Sequence, residues 1–432
     1  MIAAWLAAAA LAQAPTLPLT IDLSVGSSAA DVRAAVTHAC AALRSRRTTD
    51  ATVRFAAGVH EIDMGSVDGG ALLNVTACAT PPGSRGRLSI AGFGMDRTRL
   101  VLETRGQTVL EGKGGWSNLT VRDLTFSRPR LTTTQGRVVA ATETHLMLSI
   151  TATAASRLPP VGALFVDRIG RLQPEQGLYL RRFRLPPPAA TAAVGNTPQL
   201  ITDASNGTAW PPVLNAQVHF ACGGDGETCP DVQAVPAPNA SANASASLWR
   251  LRIPAWPAGE RARYAAAALD ATQVVAVKVK HGGQAYYLRD GGPGGLAFQR
   301  VRWLRHSRGV IINTSNVLFR DTRVEHDAGG GVALATPGGG PQITAAPGGT
   351  ATSVAVHNVT VHNHTSVGTG DDALGLFGIA SGSVRGCNIR DSFARGILLS
   401  NCSDAFVNNV QSNVVLRCPV YRTEGAAVVD NV

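Results

Sequence analysis

A chain of 432 residues, 45% hydrophobic and 5% aromatic, is long enough for one large domain or two moderate ones and too apolar to be disordered. Its formal charge of +10 comes mostly from scattered arginines, with no long Lys/Arg run and no basic stretch interleaved with aromatics, which argues against nucleic acid as a partner. Past the N-terminus no segment is apolar for long enough to insert in a membrane.

Residues 1–14 (MIAAWLAAAALAQA) form an alanine-rich run ending in the small-x-small site Ala12-Gln13-Ala14. This predicts a secretory signal peptide cleaved near Ala14, without the usual basic n-region, and an extracellular or secretory-pathway product. Nine Asn-x-Ser/Thr sequons, starting at Asn74, Asn118, Asn206, Asn239, Asn243, Asn313, Asn358, Asn363 and Asn401, point to a glycoprotein, although turn-rich repeats accumulate such triplets by chance. In that compartment disulfides are the default for the seven cysteines, none of which has metal-ligand spacing. Cys222 and Cys229 bracket the Gly-rich loop 223–228 and make the best local pair. Cys402–Cys418 is a second candidate, and Cys387 is a candidate small core residue.

Along the chain, 28–46 reads as one helix, capped by Ser27 or Ser28, with Val32, Ala35, Val36, Cys40 and Leu43 on one face. Segments 52–62 and 88–102 are strand-and-turn units, and 121–126 begins another. The expected organisation is a helical cap with the first coils over 15–130, a smaller antiparallel β module over 131–275, and regular coils over 276–432. The chain stops inside or just after a strand with no polar cap, which suggests a truncated or partner-covered end.

The coils announce themselves by repetition. One apolar run starts at Phe298, Phe319, Val356, Val384 and Ala405, each with a second apolar residue five positions on. Another reads 309–313 (GVIIN), 331–335 (GVALA), 373–377 (ALGLF), 396–400 (GILLS) and 426–430 (AAVVD). Their starts lie 22, 42, 23 and 30 residues apart, with a low-complexity insertion at 337–350 inside the longest step. A period of about 22 residues with more than one short strand per repeat predicts an all-β chain folded as a right-handed parallel β-helix.

Stacking turns such a repeat into columns about 4.8 Å apart. The column just before the second strand holds Arg308, Gly330, Asp372, Arg395 and Glu424, with Asp371 one residue earlier. Adjacent carboxyls beside an arginine perturb each other's protonation and mark a candidate active site. Asp327, in 325–330 (EHDAGG), sits near the same corner one coil earlier. Asp371, Asp372, Asp327 and Glu424 are the candidate catalytic carboxylates. Arg395 is the candidate substrate-binding residue, with His326 either a second contact or a surface histidine. His306, His357, His362 and His364 read as exposed.

These residues resemble right-handed β-helix glycosidases, most closely the α-1,3-galactosidases of glycoside hydrolase family 110. The resemblance rests on the capping helix before 52–62 (TVRFAAGVHEI), on 124–140 (LTFSRPRLTTTQGRVVA) as the entry to an inserted β module, on 370–378 (GDDALGLFG) and on 394–400 (ARGILLS). It implies an inverting exo-glycosidase that needs no metal or other cofactor and removes terminal galactose from an oligosaccharide or polysaccharide. Family 28 polygalacturonases share the GDD-plus-apolar strand, but this chain has Arg395 where they carry histidine and lacks their Arg-Ile-Lys. Two other classes stay open. A polysaccharide lyase would act on an acidic polymer, although aspartates are too few for a calcium site; a non-catalytic β-helix would bind glycan without turnover. Sugar, linkage, anomer and oligomeric state are not encoded in these patterns.

Overall fold

The structure, a computed structural model, describes residues 17–65, 70–78, 86–103, 107–129, 133–141, 145–151, 178–181, 232–235, 246–252, 274–278, 284–306, 308–325, 336, 339–345, 356–369, 372–390, 396–400, 402 and 421–423. It is a parallel β-helix. Three columns of strands run through it, two in a 13-stranded sheet and one in an 8-stranded sheet. Face 1 stacks Leu19–Leu23, Asp50–Phe55, Arg87–Ala91, the first half of Leu119–Ser127, the first half of Leu296–Leu304, Val317–Arg320, Val359–His362 and Gly382–Arg385. Face 2 stacks Gly58–Asp63, Thr98–Glu103, the second halves of the two long strands, Arg323–Glu325, Thr365–Val367 and Asn388–Arg390. Face 3 stacks Leu73–Asn74, Leu110–Lys113, Tyr286–Arg289, Gly309–Ile312, Pro341–Thr344, Leu374–Phe377, Ile397–Ser400 and Tyr421–Thr423.

The five-residue apolar spacing now has a physical cause. A flat strand alternates sides every residue, so Phe298 and Trp303 could not both face inward along one. Between them Arg300 takes φ 51°, a left-handed kink that bends the strand and resets the alternation. The same corner in other coils is occupied by Asp123, Asp321, Asn363 and Gly386, all with φ between 54° and 61°. Inside, Phe298 stacks on Phe319 with ring centroids 5.0 Å apart, about one strand spacing, and Tyr286 adds a third ring at 4.9 Å from Phe298.

The cap helix is Ala29–Arg44, started by Ser28, whose hydroxyl accepts from Asp31 N–H while the Asp31 carboxylate accepts from Ser28 N–H. Its buried face includes every residue expected there. It lies over the first coils, where Arg33 donates to the Met64 carbonyl at 2.9 Å. A disulfide joins Cys40 on the helix to Cys78 on the short 3₁₀ turn Thr76–Cys78. No sequence spacing had singled out this pair. A second sheet of six antiparallel strands, built from Thr133–Ala141, His145–Thr151, Leu178–Arg181, Val232–Val235, Ala246–Arg252 and Val274–Lys278, interrupts the coils.

Several expectations need correction. The face-3 partner of Gly309–Ile312 is Pro341–Thr344, inside the segment read as an insertion, and not 331–335. Phe319 pairs with Val361 rather than Val356. Consequently Ile311 aligns with Ile343 and Leu376, one residue out of the predicted register with Gly375, whereas Gly375 does align with Leu398. Among the described residues the coils resume at Tyr286, within the expected 276–432. The last described face-3 strand is Tyr421–Thr423, not 426–430. The signal-peptide residues, Cys222, Cys229 and Cys418 lie outside the described residues; Cys402 is a buried free thiol, as is Cys387.

His306 and His364 are buried, not exposed, whereas His357 and His362 are exposed as read. His364 follows a corner residue and points inward between Thr322 and Cys387. Its Nδ1 hydrogen-bonds the Thr322 hydroxyl at 2.8 Å, and Nε2 has no partner among the described residues. Burial pulls its pKa down to about 4, against a small opposing effect of the Thr322 backbone.

Two stability outcomes follow. The Cys40–Cys78 crosslink closes a loop with a sequence separation of 38, so Cys40→Ala with Cys78→Ala is expected to cost roughly 4 kcal/mol in denaturant unfolding, and a loss below ~1 kcal/mol contradicts a structural role. For His364 the folded pKa lies below the unfolded one, so the unfolded chain takes up the proton first. Stability is level above about pH 6.5, falls as pH drops from about 6.5 to about 4, and levels again below, a total of roughly 3 kcal/mol. In His364→Leu that part of the pH dependence of the urea midpoint disappears.

Candidate active site

The corners of the coil are not equivalent. The face 1 to face 2 corner is a single left-handed residue from Asp123 onward. The face 3 to face 1 turn is bounded by left-handed residues at both ends in 114–118, 290–295 and 313–316, as in Asn313 (φ 49°) and Asn316 (φ 58°), but runs longer at 75–86 and 345–358. The face 2 to face 3 corner has no such rule. It ranges from the four residues 305–308 to the whole of 128–285, which carries the antiparallel sheet. Connections free to vary in length on a rigid stack are where functional residues accumulate.

Asp372 opens face 3 at this corner and is 3% exposed. Its carbonyl accepts from Gly340 N–H at 2.9 Å, and Leu374 N–H donates to the Gly396 carbonyl at 3.1 Å. The rung below Asp372 is therefore Gly339–Gly340, and Arg395 directly precedes the residue bonded on the rung above. Those glycines are required by the close approach. A Cβ on Gly340 would lie 2.0 Å from the Ala373 carbonyl oxygen, and one on Gly339 would lie 2.5 Å from that of Asp372. Ser366, buried beneath, donates its hydroxyl to the Ala373 carbonyl at 3.5 Å.

Of the other predicted site residues, Asp371, Asp327, His326, Arg395 and Glu424 lie outside the described residues, and the register says what remains of the reasons for them. Leu374 pairs with Ile397, a step of 397 − 374 = 23 residues, which is the step the sequence implied. Gly339, not a residue near 330, takes the place below Asp372, and Asp327 falls in sequence between the strands ending at Glu325 and starting at Pro341. Tyr421 pairs with Leu398, an offset of 421 − 398 = 23, where the run at 426–430 had implied 426 − 396 = 30. A step of 23 in place of 30 gives Glu424 no register above Asp372.

A basic cluster that no sequence motif announces occupies the same corner on lower rungs. Arg128 is buried, Arg305 donates to the Pro129 carbonyl at 2.8 Å, and Arg308 precedes face 3. His306 sits among them, edge-on to Phe126 with centroids 6.5 Å apart. Burial and then the Arg128 charge push its pKa well below 6.5, so it is neutral at physiological pH. The Ser127 backbone lies close enough to oppose that shift, yet neither ring nitrogen finds a well-aligned partner among the described residues. Gln284, where the chain returns from the antiparallel sheet, has its Oε1 buried without a partner among those residues. The signal was legible as the breaks Ser127-Arg128-Pro129 and Arg305-His306-Ser307-Arg308 at strand ends.

On the outward side of face 3 beside Asp372, Gly375 leaves room for Phe377, whose ring Cε2 lies 2.8 Å from where a Gly375 Cβ would stand. Gln342 and Thr344 flank them one rung below and Leu398 and Ser400 one rung above. No cluster of three or more His, Cys, Asp or Glu among the described residues has metal-binding geometry, and no helix among them is long and apolar enough to cross a membrane.

No family model matches this sequence, and no curated protein matches it. Among solved structures it is similar to the A-module of the Azotobacter vinelandii mannuronan C-5 epimerase AlgE6, at 11% identity over 92% of this chain and 72% of that one, with a TM-score of 0.29. The AlgE4 A-module from the same organism gives 10% identity, 88% and 72% coverage, and a TM-score of 0.28. At these values the likeness carries nothing about chemistry.

The glycine approach beneath Asp372 is directly testable. Gly340→Ala forces the rung under Asp372 apart and is expected to cost about 1–3 kcal/mol in thermal or denaturant unfolding. An unchanged midpoint contradicts the close packing described here.

Proposed function

We propose that the chain is a carbohydrate-active enzyme that hydrolyses glycosidic bonds of an oligosaccharide or polysaccharide at the face 2 to face 3 corner. The observation that carries this reading is the carboxylate of Asp372, almost wholly buried at the start of a face-3 strand, at the corner where the variable connections gather. Burying a carboxyl is costly unless its environment answers it, and such expense concentrates at functional sites.

In this reading Asp371 and Asp372 act as a pair. Two carboxyls so close favour a single retained proton, which supplies a general acid for the leaving oxygen. Inversion then needs a base about 6.5–9.5 Å away to activate water. Asp327 is the candidate for that base, on the neighbouring variable connection; Glu424 has lost the register argument that recommended it. Arg395 binds a sugar hydroxyl or carboxylate from the rung above. The arginines at 128, 305 and 308 make the lower corner positive, which suits a substrate carrying acidic groups. Phe377 and Gln342 offer the outward face of the sheet as a floor for the glycan. The resemblance to α-1,3-galactosidases supports exo-cleavage of a terminal galactose as the finer version.

General acid–base groups contribute about 10²–10⁴-fold, so Asp372→Asn is expected to lower turnover by at least 10²-fold with little change in KM. Arg395→Ala is expected to raise KM as well as lower turnover, and Glu325→Gln, whose carboxylate is paired with Arg302 on face 2, to do little. Wild-type turnover in both Asp371→Asn and Asp372→Asn, measured on whichever glycan the wild type cleaves, contradicts the assignment.

A further inference from the structure

Five of the nine sequons fall on described residues, and four of those five share one stereochemical origin. Asn118, Asn313, Asn358 and Asn363 all adopt left-handed backbone, with φ of 51°, 49°, 55° and 54°. Asparagine tolerates that region better than most side chains because it can hydrogen-bond locally. The residue after a corner points inward, as Leu119, Val359 and His364 do, and the next points outward, where threonine favours a strand. Asn-x-Thr is thus what two of the corners write by themselves.

The amide nitrogens at these corners are committed along the stack. Asn118 donates to the Gly86 carbonyl at 3.1 Å, Asn313 to Asp290 at 3.0 Å, Asn358 to Asn316 at 2.8 Å and Asn363 to Asp321 at 2.6 Å. Each nitrogen lies between coils about 4.8 Å apart, which leaves little room for a sugar ring on it. The backbone beyond the corner is held by the coil too: Thr365 N–H donates to the Thr322 carbonyl.

Asn74 differs in its backbone and in the state of its amide nitrogen. It lies in the two-residue strand Leu73–Asn74, side chain outward and exposed, with no left-handed corner to explain it. Its Oδ1 accepts from Thr76 N–H at 3.0 Å in a local turn, while the Thr76 hydroxyl accepts from Lys113 N–H at 3.1 Å. Its Nδ2 makes no hydrogen bond among the described residues.

We propose that Asn74 is an N-glycan attachment site, and that the sequons at Asn118, Asn313, Asn358 and Asn363 are by-products of coil stereochemistry and stay bare. In the transfer, the Asn74 amide nitrogen forms a bond to C1 of an oligosaccharide donated by a polyprenyl-diphosphate carrier. The C1–O bond to phosphate breaks, the polyprenyl diphosphate leaves, and the nitrogen gives one proton to the transferase base. The transferase meets the chain before it folds, but a chain with a sugar at a corner cannot close its stack and is held back from secretion. The secreted pool therefore records the selection.

The test is independent of the enzymatic reading. The full chain, placed behind a eukaryotic host's own leader, is collected from the medium, deglycosylated enzymatically in heavy-oxygen water and mapped by peptide mass. The proposal expects the isotope tag at Asn74 and none at Asn118, Asn313, Asn358 or Asn363. It also expects Asn74→Gln to lose one glycan's mass at that peptide with an unchanged melting midpoint. An untagged Asn74 in the secreted chain overturns the proposal, and so does a tag at any of the four corner asparagines.

Discussion

Each coil can stack only if its corners fall at the same place in every turn, and a single residue in left-handed backbone conformation fixes that place. An L-residue pays about 1–2 kcal/mol to adopt it, less for Gly, Asn and Asp, so these corners select their own chemistry. The columns read Asp123, Arg300, Asp321, Asn363, Gly386 at one corner and Asn118, Gly295, Asn316, Asn358 at another. Where polar side chains follow one another they bond along the stack: Arg300 holds Asp123 at 2.5 Å, and Asn363 holds Asp321. For Asp123 burial pushes the pKa up, but Arg300 and then Arg122 outweigh it and keep the carboxylate ionised below its usual range. Arg300 at φ 51° is the exception to the preferred residues, and its ion pair offsets the strain.

The constraint also decides where chemistry can sit. The face 1 to face 2 corner is locked to one left-handed residue from Asp123 onward, and lengthening it would throw the next strand out of register. The other two connections vary in length, and the face 2 to face 3 corner varies most, absorbing 128–285 and 326–340 without disturbing the columns. Asp372, the arginines of the lower rungs and the neutral His306 are all on that side. The rigid faces position them, and the variable connections bring in what differs from coil to coil.

Much of the fold was legible because the stack prints itself on the sequence. The Phe298–Trp303 spacing, odd where a flat strand needs even, encoded a bend, and the helix with its Ser28 cap was readable residue by residue. The failures share a cause. Gly-rich 337–350 looked like an insertion because glycines and prolines usually mark loops, yet Gly339 and Gly340 are there to let a coil approach the Asp372–Ala373 backbone and Pro341–Thr344 is a strand. Apolar 331–335 offered a better pattern at the wrong place, which shifted the register by one and moved Val356 for Val361. His364 was misplaced because a histidine in an inward position has no period of its own. The Cys40–Cys78 pair was invisible for a similar reason: it depends on how the cap helix lies over the first coil.

One measurement bears most directly on the site: proton NMR of the products formed by the wild-type chain from a panel of galactosides, polyuronates and sulfated glycans. Acid–base hydrolysis by paired carboxylates across an intervening water predicts release of a free sugar whose first-formed anomer is inverted relative to the bond cleaved. Retained configuration, or products bearing unsaturated uronate ends, would contradict the carboxylate account, and binding without any product would leave the buried Asp372 corner as a glycan-recognition surface instead.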